Sequence, residues 1–281
     1  MIPASFDYIR PTTLEEALDA LVSREDAKVL AGGHSLLPAM KLRLAQPRTI
    51  VDLGRVAELN YMREGNGRIA IGAMTRHYQL ESSALLKQKC PLLAELPQQI
   101  GDVQVRNRGT LGGNIVHADP ASDWPAAILA LDAEMEIAGP NGRRTVPARE
   151  FFVEMMQSAV QPNEILCEIR VPVTERSVAY VKFAQRASGF AIAGVAAVVD
   201  KASKSVRVGI TGVSTKAYRA TATEETLHGE ALTSEAIGEA AAKAADGIET
   251  LNDIHASAEF RAHLAAVYCR RALELAAGRA N

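Results

Sequence analysis

Apolar positions fall into alternating helical and extended runs from the start of the chain. In "PTTLEEALDALVSRED" Leu14, Ala17, Leu18, Leu21 and Val22 recur at three- and four-residue spacing, which predicts a helix with one buried face. Thr13 followed by Glu16 is a capping-box pattern, in which each side chain can take up an amide left unpaired by the first turn. "AKVLAGG" reads as a short strand ending on two glycines and "RTIVDL" as another, giving a β–α–β-like unit with a glycine turn at a strand end. "GRIAIGAMT" is a further strand, and "TRHYQLESSALLKQKCPLLAELPQQIG" reads as two helices broken at Pro91. "TLGGNIVHADPASDWPA" is too irregular for a strand and too glycine-rich at its start for a helix, so it is expected as a loop leading into a short helix, "DWPAAILALDA". "EMEIAGPNGRRTVPA" has the form of a hairpin turning at Pro140-Asn141-Gly142, and "EILCEIRVP" closes this half as a strand.

Polar residues and prolines in "VPVTERS" place a domain boundary near residue 175. Beyond it, "VAYVKFAQ", "AIAGVAAVVD" and "SVRVGITGV" read as three successive strands, the last two joined through "KASKS". Two alanine-rich helices follow, "TSEAIGEAAAKAADGI" and "SAEFRAHLAAVYCRRALELAAG", the second with Phe260, Leu264, Val267 and Leu275 as its expected apolar stripe. A small antiparallel sheet with helices packed on it is the predicted C-terminal domain.

With 281 residues, 48% of them hydrophobic and 23% charged, the chain can bury cores for two domains. A net charge of −2 leaves no basic excess for nucleic acid or an anionic membrane surface. No apolar run is long enough for a membrane span, and "MIPASFDYIRPTT" lacks the apolar core of a signal peptide. Cys90, Cys167 and Cys269 are few and far apart, which suits a reducing, cytoplasmic location and excludes a cysteine-held iron–sulfur cluster within this chain.

Few residues suggest chemistry by themselves. Ser35 in "AGGHSLLPAMK" lacks the second glycine of a nucleophile elbow, and Pro38 interrupts the helix that should follow. The amides of Gly32, Gly33, His34 and Ser35 could form an anion-binding concavity at a strand end, or a plain tight turn. "TLGGN" repeats the device, with Gly112 and Gly113 offering amides and Thr110 and Asn114 adding side-chain hydrogen bonds. Two such loops could grip the two phosphates of a dinucleotide without Lys or Arg. The patterns G-x-G-x-x-G and G-x-x-x-x-G-K are absent, against a Rossmann nicotinamide site or a nucleoside triphosphatase. His117, Asp119 and Asp123 do not complete a metal-ligand set; Asp119-Pro120 and Ser122-Asp123 read instead as caps of the helix near Trp124. Glu154 and Glu164 are too isolated for an acid–base pair.

Longer stretches carry more. "AGGHSLLPAMKLRLAQP", "RNRGTLGGNIVHADPASDWPA" and "ILCEIRVP", with "VKFAQRASGFAIAGVAAVV" and "ASAEFRAHLAAVYCRRAL", resemble the FAD-binding medium subunit of the carbon monoxide dehydrogenase and xanthine dehydrogenase family, the molybdenum hydroxylases. The resemblance implies an α+β fold: a vanillyl-alcohol-oxidase-type FAD domain over 1–175, with subdomains of about 1–55 and 56–175, then a three-stranded antiparallel sheet with a helical bundle over 176–281. It implies FAD between the subdomains, its pyrophosphate on Ala31, Gly32, Gly33, His34, Ser35 and Leu36 and on Thr110, Leu111, Gly112, Gly113 and Asn114. Asp123 would meet ribityl or sugar hydroxyls, Leu166 would pack on the isoalloxazine ring with Ile100 opposite, and Lys182 would stand near the ring's polar edge. No catalytic side chain and no metal ligand is implied in this chain.

The same resemblance implies a large subunit carrying the molybdenum cofactor and a small subunit carrying two [2Fe–2S] clusters, arranged as a dimer of heterotrimers. The flavin would pass electrons from the clusters to an external acceptor, most like the carbon monoxide dehydrogenase type. A stand-alone FAD-dependent oxidoreductase and a flavin-free assembly scaffold are the alternatives. The substrate would be chosen by the large subunit, outside this sequence.

Overall fold

The computed structural model describes residues 2–174 and 177–279, so the boundary placed at residue 175 lies outside the described residues. The chain begins with β1 (Asp7–Ile9), α1 (Leu14–Ser23), β2 (Ala27–Leu30), α2 (Leu36–Lys41) and β3 (Thr49–Asp52). The three strands form a parallel sheet in the order β1-β3-β2, with Tyr8 opposite Ile50 and Val29 opposite Val51. Leu14, Ala17, Ala20 and Leu21 are the buried face of α1, while Val22 points to solvent. The capping box is shared differently from the expected pair. Thr13 accepts from the Glu16 amide at 3.2 Å, but the Glu16 carboxylate reaches back to the amide of Thr12 at 2.7 Å.

Next come β4 (Met62–Gly65), β5 (Arg68–Gly72), α3 (His77–Ser82), α4 (Ala84–Lys89), α5 (Pro91–Glu95), α6 (Val103–Arg108), α7 (Leu111–His117) and α8 (Trp124–Ala130). They are followed by β6 (Glu134–Gly139), β7 (Gly142–Pro147), α9 (Ala148–Phe151), β8 (Phe152–Glu154), β9 (Gln157–Ser158) and β10 (Ile165–Pro172). An antiparallel sheet in the order β4-β5-β10-β6-β7 organises this part. Strand β10 serves two cores at once: Ile165 and Cys167 join the cluster built on α1 and β3, whereas Leu166, Ile169 and Val171 join the cluster around Trp124. The helical stretch broken at Pro91 is broken a second time, at Ser83, whose side chain accepts from the Leu86 amide at 3.2 Å and starts α4.

The last part holds β11 (Val178–Ala184), β12 (Ala191–Asp200), β13 (Ser205–Thr211), β14 (Tyr218–Arg219), α10 (Thr221–Thr226), α11 (Ser234–Ala241) and α12 (Ala258–Arg279). The sheet order is β11-β12-β13-β14, so the two-residue β14 extends the three expected strands to four. In β12 Ala196 and Val198 face the Trp124 cluster, and Ala193, Val195, Ala197 and Val199 face the helices, so this strand is apolar on both sides. The buried face of α12 is Arg261, Leu264, Ala265, Cys269, Ala272, Leu273 and Ala276. Of the expected stripe only Leu264 belongs to it; Phe260 and Leu275 are exposed. Four small side chains, Ala265, Cys269, Ala272 and Ala276, let the helix approach the sheet closely.

Candidate functional site

The two glycine segments, far apart in sequence, meet face to face. A Cβ on Gly32 would stand 2.5 Å from the Arg108 carbonyl oxygen and 2.8 Å from the Gly109 Cα, and a Cβ on Gly113 would stand 3.1 Å from the Ala31 Cβ. The seam between residues 31–36 and 108–114 therefore admits no further side chain. On its first side, Gly33 turns the chain with φ +81° and α2 begins without a side-chain cap on Ser35. Within the described residues no acceptor takes the amides of Gly32, Gly33, His34 or Ser35, a run of four partly accessible donors. That is the requirement for an anion concavity rather than a self-satisfied turn.

The second side corrects the expected loop. "TLGGN" enters helix α7, and Thr110 is its cap. The amides of Leu111, Gly112, Gly113 and Asn114 go to Thr75 O, Ala73 O, Thr110 Oγ1 and Thr110 O at 2.9, 2.8, 3.1 and 3.1 Å. Gly112 and Gly113 thus offer no free amides; the glycines serve packing against Ala73 and Ala31. Such close contacts outweigh the low helix propensity of two adjacent glycines. What this side can present to a ligand is the Thr110 hydroxyl proton and the Asn114 side-chain nitrogen, since Asn114 Oδ1 already accepts from Ser122 at 2.6 Å.

From the seam the contacts run on without a gap. The His77 amide donates to Gly109 O at 3.0 Å, and Trp124 Nε1 donates to His77 Nδ1 at 3.2 Å. Burial pulls the His77 imidazole down to about 4, so at neutral pH it is uncharged with its proton on Nε2. Nothing in "TRHYQL" marks His77: one histidine at a helix start carries no signal of a role that depends on residue 124.

Asp123, beside Trp124, does not cap α8. The cap-like bond in this stretch is Asp119 accepting from the Ala121 amide at 2.8 Å. The Asp123 carboxylate instead faces β11, where the Tyr180 hydroxyl donates to Oδ1 and Lys182 Nζ lies 2.9 Å from the same oxygen. Lys182 also donates to Gln99 O at 2.6 Å and Gly189 O at 2.8 Å. An ammonium has three protons, and these three contacts match that number. Its charge faces the buried Asp123 carboxylate. Burial raises the Asp123 carboxyl above the usual range, against the pull of Lys182 and Tyr180. Gln99 Nε2 also donates to Tyr180 O at 3.3 Å, which brings Ile100 beside this cluster. Leu166 lies in the same buried cluster as Ile100, Leu111 and Ile115.

Among the described residues no group of three or more His, Cys, Asp or Glu side chains is placed to hold a metal ion. No helix there is long and apolar enough to cross a membrane. Glu164 is tied to Arg144 at 2.7 Å and has no carboxylate partner. A run of unpaired amides across a tight seam, with a buried carboxylate further along, fits a pyrophosphate-bearing ligand with a hydroxylated arm.

These features are those of a site for a dinucleotide cofactor. Residues 4–174 match the family described as FAD binding domain in molybdopterin dehydrogenase, and residues 178–276 match the CO dehydrogenase flavoprotein C-terminal domain. The chain belongs to this family, the FAD-binding medium subunits of the molybdenum hydroxylases, and is an oxidoreductase subunit with FAD as its cofactor. It is 43% identical to the carbon monoxide dehydrogenase medium chain of Hydrogenophaga pseudoflava, over 98% of each chain, and 35% identical to the nicotine 6-hydroxylase medium subunit of Paenarthrobacter nicotinovorans, over 97% of each. Among solved structures, the carbon monoxide dehydrogenase of H. pseudoflava superposes with a TM-score of 0.95 at 43% identity, covering 99% of both chains. Quinoline 2-oxidoreductase from Pseudomonas putida 86 superposes with a TM-score of 0.93 at 30% identity, again over 99% of both.

Proposed function

We propose that this chain is the electron-transfer subunit of a molybdenum hydroxylase, taking electrons from [2Fe–2S] clusters in a small partner subunit and passing them to an external acceptor. A large partner subunit would carry the molybdenum cofactor, and two such heterotrimers would pair. The observation that carries this reading is the run of four unpaired amides, Gly32 to Ser35, set against the Arg108–Asn114 segment. Bound FAD supplies the redox chemistry, since a flavin exchanges electrons singly or in pairs.

The residues divide the task of holding it. The amides between Ala31 and Leu36 take the pyrophosphate, with the Thr110 hydroxyl and the Asn114 side chain closing the second side. Leu111, Gly112 and Gly113 form the wall that keeps the two segments at this spacing. Asp123 accepts from polyol hydroxyls, and Leu166 and Ile100 supply apolar surface for the ring. Lys182 acts at one remove, by tying Asp123, Gln99 and Gly189 together.

The test is direct. The full chain, loaded with FAD and passed through gel filtration, should retain a visible band near about 450 nm. A tagged chain expressed in its native host should carry molybdenum- and iron-containing subunits through purification. Loss of flavin both from the isolated chain and from any complex it forms would overturn the assignment. Turnover of a small-molecule donor by the isolated chain would overturn the electron-transfer role and favour a self-sufficient oxidoreductase.

A further inference from the structure

Tyr180 and Lys182 are two positions apart on β11, so both side chains leave the same face of the strand and reach the Asp123 carboxylate. Both arrive at one oxygen, Oδ1. Among the described residues no other residue donates to the second oxygen, Oδ2. Two donors have thus been gathered on one oxygen while the second is kept open. The sequence also makes room for this arrangement. Gly194 stands opposite Lys182 on β12, and a Cβ there would collide with the Tyr180 hydroxyl and lie 2.9 Å from the Thr211 Cγ2.

We propose that Tyr180 is a positioning residue for the flavin site: its hydroxyl, together with Lys182, fixes Asp123 through Oδ1 so that Oδ2 is presented to a hydroxyl of the cofactor's polyol. The inference rests on the FAD reading above and goes beyond it, because Tyr180 acts through Asp123. The Tyr180 phenol is held in its protonated, donating form by burial and by the neighbouring carboxylate, which push its ionisation far up. Asp123 heads α8 in the flavin-binding part, whereas Tyr180 and Lys182 belong to the C-terminal sheet. The orientation of one cofactor contact is therefore set from the neighbouring domain.

The experiment is a double-mutant cycle in the full-length chain, with FAD affinity and urea midpoint read side by side. Tyr180→Phe removes one hydroxyl and keeps the ring. It should weaken FAD binding about tenfold in the Asp123 background and less than about twofold in Asp123→Asn, because the hydroxyl matters only through the carboxylate. Gly194→Ala, which displaces the hydroxyl with Tyr180 intact, should reproduce the loss and supplies the test if Tyr180→Phe folds poorly. Equal losses in both backgrounds, or no loss in either, overturn the proposal. If the wild-type chain binds no FAD at all, the functional reading has failed separately. The cycle is then read in the urea midpoints of the flavin-free chain, where additivity of the Tyr180 and Asp123 changes also overturns the tie through which Tyr180 acts.

Discussion

His77 shows how much one residue can depend on where its neighbours put it. Its ring is buried against Trp124, with centroids 5.8 Å apart, and it accepts a hydrogen bond that an imidazolium could not accept. The unfolded chain takes up a proton at an imidazole near about 6.5, while the folded chain holds it off until about 4. Between those values the unfolded state binds more protons, so stability falls as pH is lowered through that window. At most about 3 kcal/mol is at stake. Urea midpoints of the wild-type chain should therefore drop between pH 6.5 and pH 4.5, and those of His77→Gln should drop less. Parallel curves for the two proteins would show that His77 titrates normally. Lys182 belongs to the same residue scale, because it faces the buried Asp123 carboxylate. A lysine replaced by methionine would strand the Asp123 carboxylate in the interior, which costs about 3–5 kcal/mol when a buried pair loses one partner. Lys182→Met should consequently be read first as a large loss of urea stability and of FAD affinity, and only then as a change in flavin potential. Unchanged stability would mean that the pair is open to water.

At the scale of elements, the strands and the first helix were legible because their apolar spacing is local. "AKVL", "TIVD", "RIAIG" and "ILCEIRVP" all became strands where alternation or short apolar runs placed them. Helix α7 was not legible. Two glycines argue for a loop in any window of sequence, and what overrules them is contact with Ala73 and Ala31, which no spacing reveals. The stripe of α12 is illegible for a related reason: the sheet takes Ala265, Cys269, Ala272 and Ala276 together with Leu264 and Leu273, and leaves the large Phe260 and Leu275 exposed. For the site, both glycine segments stand out in the sequence, but the second offers packing rather than free amides, and the ties among Asp123, Tyr180 and Lys182 are long-range facts. A prediction belongs here. Gly113→Ala would bring a methyl 2.7 Å from the Thr110 Oγ1 that caps α7 and 3.1 Å from Ala31. It should lower stability by about 1–2 kcal/mol, the range of a lost helix cap, and weaken FAD binding because the seam must widen. A variant with wild-type urea midpoint and flavin content would show that the two segments do not touch.

The whole molecule turns on α8, a helix buried on all sides. Its residues from Trp124 to Ala130 lie in the core beneath the β4-β5-β10-β6-β7 sheet, and β12 and β13 close over its other face. Gly209 on β13 is the point of closest approach, where a Cβ would collide with the Ala126 carbonyl oxygen and come 3.1 Å from the Ala130 amide nitrogen. The loop ahead of the helix is pinned from the same side: Gly212 N donates to Pro120 O at 2.7 Å, Ala191 N to Ala121 O at 3.1 Å, and Thr211 Oγ1 to Ser122 O at 2.7 Å. The C-terminal sheet is thus one wall of the element that carries Asp123 and Trp124, and its docking should be inseparable from flavin binding. Gly209→Ala tests this at a residue not itself assigned to the cofactor. Backbone lies on both sides of the added methyl, so the sheet and α8 must part, at a cost near the upper end of the roughly 1–3 kcal/mol of an overpacked core. Because Asp123 moves with α8 while Tyr180 and Lys182 stay on β11, FAD affinity should fall along with the urea midpoint. The wild-type chain should lose its flavin signal and its helical circular dichroism in one coincident transition. Separate transitions in the wild type, or full FAD affinity in a destabilised Gly209→Ala, would mean that the two domains are coupled only by their covalent link and that the flavin site is complete within the first.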